Sequence, residues 1–86
     1  MGTWNYRIVK QTGIIADRTW VHYYIKEVYY NKKGKINGWT EKFAYPGGQT
    51  PEEVIGDLEL MKEAFNKPVL EEVGDKLVEI KENELK

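Results

Sequence analysis

Residues 19–30 read TWVHYYIKEVYY, and the predicted sheet is built around this segment. It is dense in β-branched and aromatic residues and contains neither glycine nor proline, a composition typical of a long β-strand. Side chains alternate between the two faces of a strand. The more apolar set, which we assign to the side of a packed helix, is Val21, Tyr23, Ile25 and Tyr29. The mixed set, which we expect to face outward, is Trp20, His22, Tyr24 and Lys26.

The sequences on either side of this stretch predict two partner strands. Residues 3–11, TWNYRIVKQ, alternate with the period of a strand, and residues 12–18, TGIIADR, are interpreted as a loop because of their glycine. Residues 31–34, NKKG, predict a hairpin turn, since Asn suits the first turn position and the glycine can adopt a positive φ. Residues 35–45 return as the third strand of an antiparallel meander.

A helix is predicted over residues 51–66. Thr50 is placed as the N-cap, Pro51 at the first helical position and Glu53 at the third, which is the pattern of a capping box. The apolar stripe expected to pack on the sheet is Val54, Ile55, Leu58, Met61 and Phe65. The sequence therefore predicts an α+β fold, in which an antiparallel three-stranded meander is packed by one amphipathic helix.

Residues 68–86 form a tail of uncertain structure. Within it, residues 76–81, KLVEIK, alternate well enough for a short strand, whereas the Glu and Lys content also permits a second helix. We favour the strand, or an extended segment docked on the sheet. With 86 residues, the chain 1–86 is expected to be a single domain.

Aromatic and charged residues are unevenly distributed. Aromatic residues make up 13% of the chain, and ten of the eleven rings precede residue 46. Residues 1–51 hold eight basic and three acidic side chains, and residues 52–86 hold five basic and eleven acidic ones, so the formal charges are +5 and −6. Two interpretations stay open. Either the two halves attract each other within one fold, or the asymmetry reflects a charged partner.

Composition argues against several kinds of chemistry. His22 is the single histidine and the chain has no cysteine, so the usual zinc and copper ligand sets cannot form. There is no serine, and no threonine stands near the histidine in a nucleophile motif. Residues 47–50, GGQT, precede the helix but lack the spacing and the lysine of a phosphate loop. We therefore expect a cytoplasmic protein that is not an enzyme, uses no cofactor or metal, and does not span a membrane.

The predicted open face of the sheet is the candidate binding surface. Its residues are Arg7, Trp20, His22, Tyr24, Lys26 and Lys42. Such a surface fits a protein partner or a second copy of the chain, because Trp, Tyr and Arg are typical interface anchors. It also fits single-stranded RNA or DNA, whose bases stack on exposed rings beside cations. A third interpretation is that these rings form cross-strand pairs or lie beneath the tail.

The turn into the helix carries the pattern G-x-T-x-E-E in residues 48–53, GQTPEE, followed by an apolar stripe that extends to Phe65. This segment resembles the HicB-type antitoxin domain, which has a GDTLEEA-like entry into an amphipathic helix. The resemblance implies a β-β-β-α-β core, a partial version of the double-stranded-RNA-binding-domain fold, with a sheet that binds a partner. The family's Pro-Asp-Leu-Pro-Gly segment is replaced here by the turn at residues 31–34, and the tail is too short for a helix-turn-helix. The resemblance therefore implies a fold and a partner-binding sheet, leaves repressor activity an open question, and implies no catalytic residues.

Overall fold

The structure, a computed structural model, describes residues 2–80 and has one sheet and one α-helix. The elements are β1 (Thr3–Ile15), β2 (Arg18–Tyr30), β3 (Ile36–Trp39), α1 (Pro51–Lys62), a 3₁₀ turn (Glu63–Asn66), β4 (Leu70–Val73) and β5 (Lys76–Glu79). The strands lie in the order β3-β2-β1-β4-β5. β1 and β4 are parallel, and the other neighbouring pairs are antiparallel. The predicted α+β class is confirmed, but the three-stranded meander is only part of a mixed five-stranded sheet.

β1 and β2 form a hairpin that is longer than predicted. Their antiparallel register is unbroken along all 13 residues of each strand. Only Ala16 and Asp17 lie between the strands, and both have a positive φ, of 52° and 65°, as a two-residue type I′ turn requires. The loop predicted for residues 12–18 is therefore wrong.

The glycine that suggested this loop has a different role. Gly13 lies opposite Trp20 in the hairpin, and a Cβ at this position would be 2.5 Å from the indole ring. The indole ring thus lies over the glycine, and a larger residue at position 13 would require the ring to move. Among residues 2–80, β4 pairs with β1 no further than Lys10 and β3 pairs with β2 only from Val28. Residues 11–24 therefore extend as a two-stranded hairpin, which we call the arm.

The hairpin turn predicted at residues 31–34 is confirmed. Gly34 has a φ of 80°, and its N–H donates to the Asn31 carbonyl at 2.9 Å. The Asn31 side chain accepts two further backbone N–H groups. The turn is thus formed by the two residues that the sequence identified.

The third strand is shorter than predicted. β3 ends at Trp39, whereas the sequence predicted a strand over residues 35–45. Thr40 and Ala44 still donate backbone hydrogen bonds to β2. Their acceptors on β2 are two residues apart while the donors are four apart, so the chain bulges between them and the regular ladder ends.

The helix begins as predicted. Thr50 is the N-cap, and its Oγ1 accepts the N–H of Glu53 at 3.2 Å, while Pro51 takes the first helical position. The Glu53 carboxylate accepts the N–H of Gln49, so the capping box closes one residue earlier than the predicted pattern. α1 and the 3₁₀ turn together cover the predicted range 51–66.

The face of α1 that packs on the sheet keeps Met61 of the predicted stripe but is rotated toward Asp57. Met61 and Ala64 are buried, and the Tyr6 hydroxyl donates to Asp57 Oδ1 at 2.7 Å. Burial and this hydrogen bond raise the pKa of Tyr6 to about 12, so the hydroxyl keeps its proton. The helix is therefore oriented with a carboxylate toward the sheet. The members of the predicted stripe that stay exposed are Ile55, Leu58 and Phe65.

The sheet carries a buried cluster on each face. On the helix face, which α1 covers, the cluster is Tyr6, Ile8, Met61 and Ala64. On the opposite face, called the far face, the cluster is Val9, Val28 and Leu70, with Trp39 and Leu77 packed against it. The far face, which we predicted to be open, is thus closed over its centre.

The tail contains two strands. β5 confirms the short strand predicted for residues 76–81 in its first four residues, and residues 81–86 lie outside the described part of the chain. β4 was not predicted, because Leu70 and Val73 at its ends are its only apolar residues. Its parallel pairing with β1 at Val9 attaches the tail to the centre of the sheet.

Met61 and Ile55 form a matched pair for testing the observed orientation of α1. Met61→Ala removes a buried side chain, and we expect it to lower the free energy of unfolding by about 2–5 kcal/mol. Ile55→Ala, at a position that is 58% exposed, should change this free energy by less than about 0.5 kcal/mol. Urea denaturation followed by tryptophan fluorescence measures both values. Equal effects of the two substitutions would contradict the orientation.

Candidate functional site

Two of the six predicted surface residues are buried. Arg7 is 5% and Lys26 is 2% exposed, so neither offers a cation to a ligand. The prediction that these two side chains face solvent is wrong, because other parts of the sheet cover them on the far face. Trp39 on β3 donates its indole N–H to Glu72 Oε1 on β4 at 2.8 Å, although the two strands are three positions apart, about 14 Å in a flat sheet. The sheet therefore curves around its far face.

Glu72 joins four neighbouring strands on the far face. Besides the hydrogen bond from Trp39, it accepts one from Gln11 Nε2 at 2.7 Å and lies 3.7 Å from Lys26 Nζ. Lys26 also donates to the Glu41 carbonyl at 2.9 Å. Partial burial acts to raise the pKa of Glu72, but the hydrogen bonds that it accepts and the charge of Lys26 outweigh burial and lower this pKa below its ordinary value. The carboxylate is thus held in its ionised form, in which it connects β4 to the other three strands.

Arg7 connects β1 to its surroundings in a similar way. Its Nη1 donates to the Tyr30 hydroxyl at 2.8 Å, and its Nη2 donates to the Pro68 carbonyl at 2.7 Å. Glu79 Oε1 lies 3.9 Å from Nη2. The Tyr30 hydroxyl in turn donates to the side chain of Asn5. The guanidinium therefore links β1 to β2 and to the tail.

The four other predicted surface residues, which keep accessible surface, are Trp20, His22, Tyr24 and Lys42. The rings of His22 and Tyr24 have centroids 4.5 Å apart, and Tyr24 stacks on Phe43 at 5.4 Å. Tyr45 follows at 6.4 Å from Phe43. We call these four rings the aromatic row. Sequence reasoning missed its last two members because it placed them in a regular strand, although their alternate spacing was a usable signal.

A groove lies on the helix face, beside the 3₁₀ turn. Its volume is about 1130 Å³. Apolar side chains from the sheet and from the segments around it line the groove, chiefly Ile8, Tyr23, Ile25, Phe65, Val69 and Ile80. Sequence reasoning placed Tyr23 correctly on the helix face but expected the helix to cover it. The helical segment ends before it reaches that part of the face, and this leaves the groove open.

The arm exposes apolar side chains on both of its faces. Those on the helix face include Ile14 and Val21, and those on the far face include Ile15 and Trp20. Contiguous exposed apolar surface on a small domain is typical of an interaction site. The arm is thus accessible to a partner from either side.

No protein-family model, curated protein or solved structure matches the chain. Within residues 2–80, no three histidine, aspartate or glutamate side chains are grouped so that they could hold a metal ion. In that same part of the chain, no helix has the length and apolar character needed to cross a membrane.

Glu72→Gln tests this connection between strands through the pH dependence of stability. The folded-state pKa of Glu72 is lower than its ordinary value of 4.5. Its stabilising contribution is therefore complete above the unfolded-state pKa and is lost as pH falls through the folded-state pKa. At about pH 7 we expect the variant to be about 1–3 kcal/mol less stable than wild type. This difference should shrink on acidification to about pH 3.

Chemical denaturation at a series of pH values measures this difference. Glu71→Gln is the matched control, because the neighbouring carboxylate on β4 makes none of the hydrogen bonds of Glu72. The control should unfold with a free energy close to that of wild type. A difference for Glu72→Gln that stays constant with pH would contradict the role of its charge.

Proposed function

We propose that the chain is a non-enzymatic binding domain that acts by protein–protein contact, with a segment of the partner docked in the groove. The observation that carries this proposal is the groove, an apolar concave surface of about 1130 Å³ that the helical segment leaves open. Docking of apolar side chains in a hydrophobic groove is a recurring mode of peptide recognition. The occupant that we propose is a protein segment presenting two or three large apolar side chains.

The lining of the groove supports such an occupant. Tyr23 and Phe65 are both exposed, and aromatic side chains are frequent anchors of protein interfaces. Lys67 and Glu79 are also lining residues and supply one charge of each sign for polar contacts. Ile80 is already buried, like the neighbouring side chains of the core. A partner would therefore cover the exposed rings of Tyr23 and Phe65, while the buried side chains at the bottom of the groove stay packed as they are.

The resemblance to HicB-type antitoxin domains belongs to the same proposal. It implies a partner-binding sheet and the element order β-β-β-α-β, which is also the order from β1 to β4. β5 is an addition to that order. On this proposal the partner is a small toxin-like protein, and the chain works through contact with it and not through catalysis.

A capture experiment with matched variants tests the groove. Phe65→Asp places a charge in the groove, whereas Ile55→Asp places the same charge at another exposed apolar position of the helical segment, outside the groove. Each chain is immobilised and exposed to an extract of the source cells, and the bound proteins are quantified by mass spectrometry. We expect one protein to bind wild type and Ile55→Asp equally, and Phe65→Asp at least about tenfold less.

The captured protein is then purified and titrated against the chain by calorimetry. A negative heat-capacity change is expected, because binding removes apolar surface from water. Circular dichroism establishes that both variants are folded. Equal loss of binding in the two variants, or no protein that distinguishes them, would contradict docking in the groove.

The aromatic row supports a second candidate function, the binding of single-stranded RNA or DNA. Rings near stacking distance offer successive platforms for bases, and such platforms are sequence-tolerant. Lys42 is exposed beside the row and could contact a phosphate. The burial of Arg7 and Lys26, however, removes two of the three cations of the predicted surface. Protein contact is therefore the proposal that we favour.

Tryptophan fluorescence tests the second candidate. If bases stack on the row, an oligonucleotide added at low salt should quench the fluorescence of the neighbouring Trp20, and the effect should weaken as salt rises. Tyr24→Ala should weaken binding by about 1–3 kcal/mol. Tyr29→Ala, which removes an exposed ring on the helix face, is the control and should leave binding unchanged. An absence of quenching at low salt would eliminate this function.

A further inference from the structure

One edge of the arm directs unpaired peptide groups away from the hairpin. On β2, the carbonyls of Ile25 and Glu27 accept hydrogen bonds from the segment after β3, so odd-numbered residues of β2 point their peptide groups away from β1. The register of β1 and β2 is regular, so the same alternation holds in the arm. The outward-directed residues there are Thr19, Val21 and Tyr23. Among residues 2–80 their outward groups have no backbone partner.

We infer that this edge pairs with the same edge of a second copy of the chain, antiparallel and around a two-fold axis at Val21. The inference rests on the proposed function, since both assign the chain to protein–protein contact, and it names a second copy of the chain as one partner. The two sheets become continuous through their arms. Strand addition of this kind satisfies the outward peptide groups of both copies at once.

Two copies of this free edge can pair along their whole length. It begins at Arg18, directly after the turn, and ends at Tyr24, because Ala44 occupies the edge beside Ile25. Val21 is the midpoint of residues 18–24. A copy rotated about this midpoint therefore ends its own arm where Ala44 begins. The helix and the remaining strands of the second copy then lie beyond the turn of the first copy. The two copies therefore contact each other only through their arms.

The peptide groups of the two edges also meet in this arrangement. Val21 faces Val21 of the second copy, and Thr19 faces the partner's Tyr23, so outward-directed residues face each other. About six backbone hydrogen bonds then join the two arms. If the pairing were displaced by one residue, the outward-directed residues of one copy would face even-numbered residues of the other copy. The peptide groups of those even-numbered residues already bond to β1. The alternation of the backbone therefore selects the register centred on Val21.

Side chains across the axis are complementary. Trp20 faces the partner's His22, which gives two aromatic pairs on the far face. Arg18 faces the partner's Tyr24, an uncharged side chain. Arg18 carries the only formal charge of residues 18–24. No like charges therefore oppose each other.

The other free edges of the described sheet are protected against such pairing. β5 has Lys76 and Glu79 at its ends, and β3 is only four residues long with an irregular register. The free part of β1 contains Gly13. Charge, short length and irregularity are the usual means by which proteins block edge pairing, and glycine weakens a strand. Residues 19–24 of β2 have none of these features.

Proline substitution separates the two edges of the arm. Val21→Pro removes an outward N–H at the axis and leaves the hydrogen bonds between β1 and β2 in place. Thr12 lies directly opposite Val21 and directs its N–H to the other edge, so Thr12→Pro is the matched control. In analytical ultracentrifugation we expect twice the mass of one chain for wild type and for the control. Val21→Pro should raise the dissociation constant by about 100-fold.

A charge swap provides an independent measurement. Val21→Lys and Val21→Glu each place two like charges at the axis, so each variant alone should have the mass of one chain. Equal mixing should restore the dimer as a heterodimer. Because the chain has no cysteine, Val21→Cys should form a disulfide-linked dimer on mild oxidation, and Thr12→Cys should not.

Two results would overturn the inference. One is a wild-type mass of one chain up to about 1 mM. The other is a dimer that Val21→Pro and Val21→Lys leave intact. Phe65→Asp should remain dimeric, and Val21→Pro should still capture the groove partner, so failure of the dimer and failure of the proposed function are distinguished.

Discussion

The carboxylate of Glu72 accepts one hydrogen bond from β1 and one from β3, while Lys26 of β2 lies 3.7 Å away. Charged groups lie in a protein interior only when they are paired and hydrogen-bonded. This carboxylate therefore permits Lys26 to be buried in the far face and draws two distant strands toward each other. Glu72 thereby helps to close the centre of the far face, while the aromatic row, the arm and the groove on the helix face stay accessible.

The same region accounts for part of the charge asymmetry of the chain. The basic first half and the acidic second half meet in two ion pairs, Lys26 with Glu72 and Arg7 with Glu79. Each pair joins the β1–β2 hairpin to the strands of the tail. For these four residues, attraction within one fold is the correct interpretation. Charge thus complements the apolar contacts of Leu70 in holding the tail to the sheet.

Two local features were predictable from the sequence, although the two-residue turn at Ala16 and Asp17 was missed, and features that depend on distant residues were not predictable. The turn at residues 31–34 and the N-cap at Thr50 involve partners only a few positions away. The orientation of α1 depends on Tyr6 and Asp57, which are 51 residues apart. The accessible residues that alternation identified correctly are Trp20, His22 and Tyr24. The burial of two predicted surface cations depends on partners in the tail, whose position no local pattern indicates.

The tip of the arm has a consequence for its cooperativity. Ala16 and Asp17 both occupy the left-handed region, which costs residues with side chains about 1–2 kcal/mol each. A two-stranded hairpin is only marginally stable without further packing, and this turn lowers its stability further. We therefore expect the arm to open separately from the main sheet, so that its amide hydrogens exchange first. A molecule that binds along the arm should suppress this opening, so part of the binding free energy is expended in holding the hairpin closed.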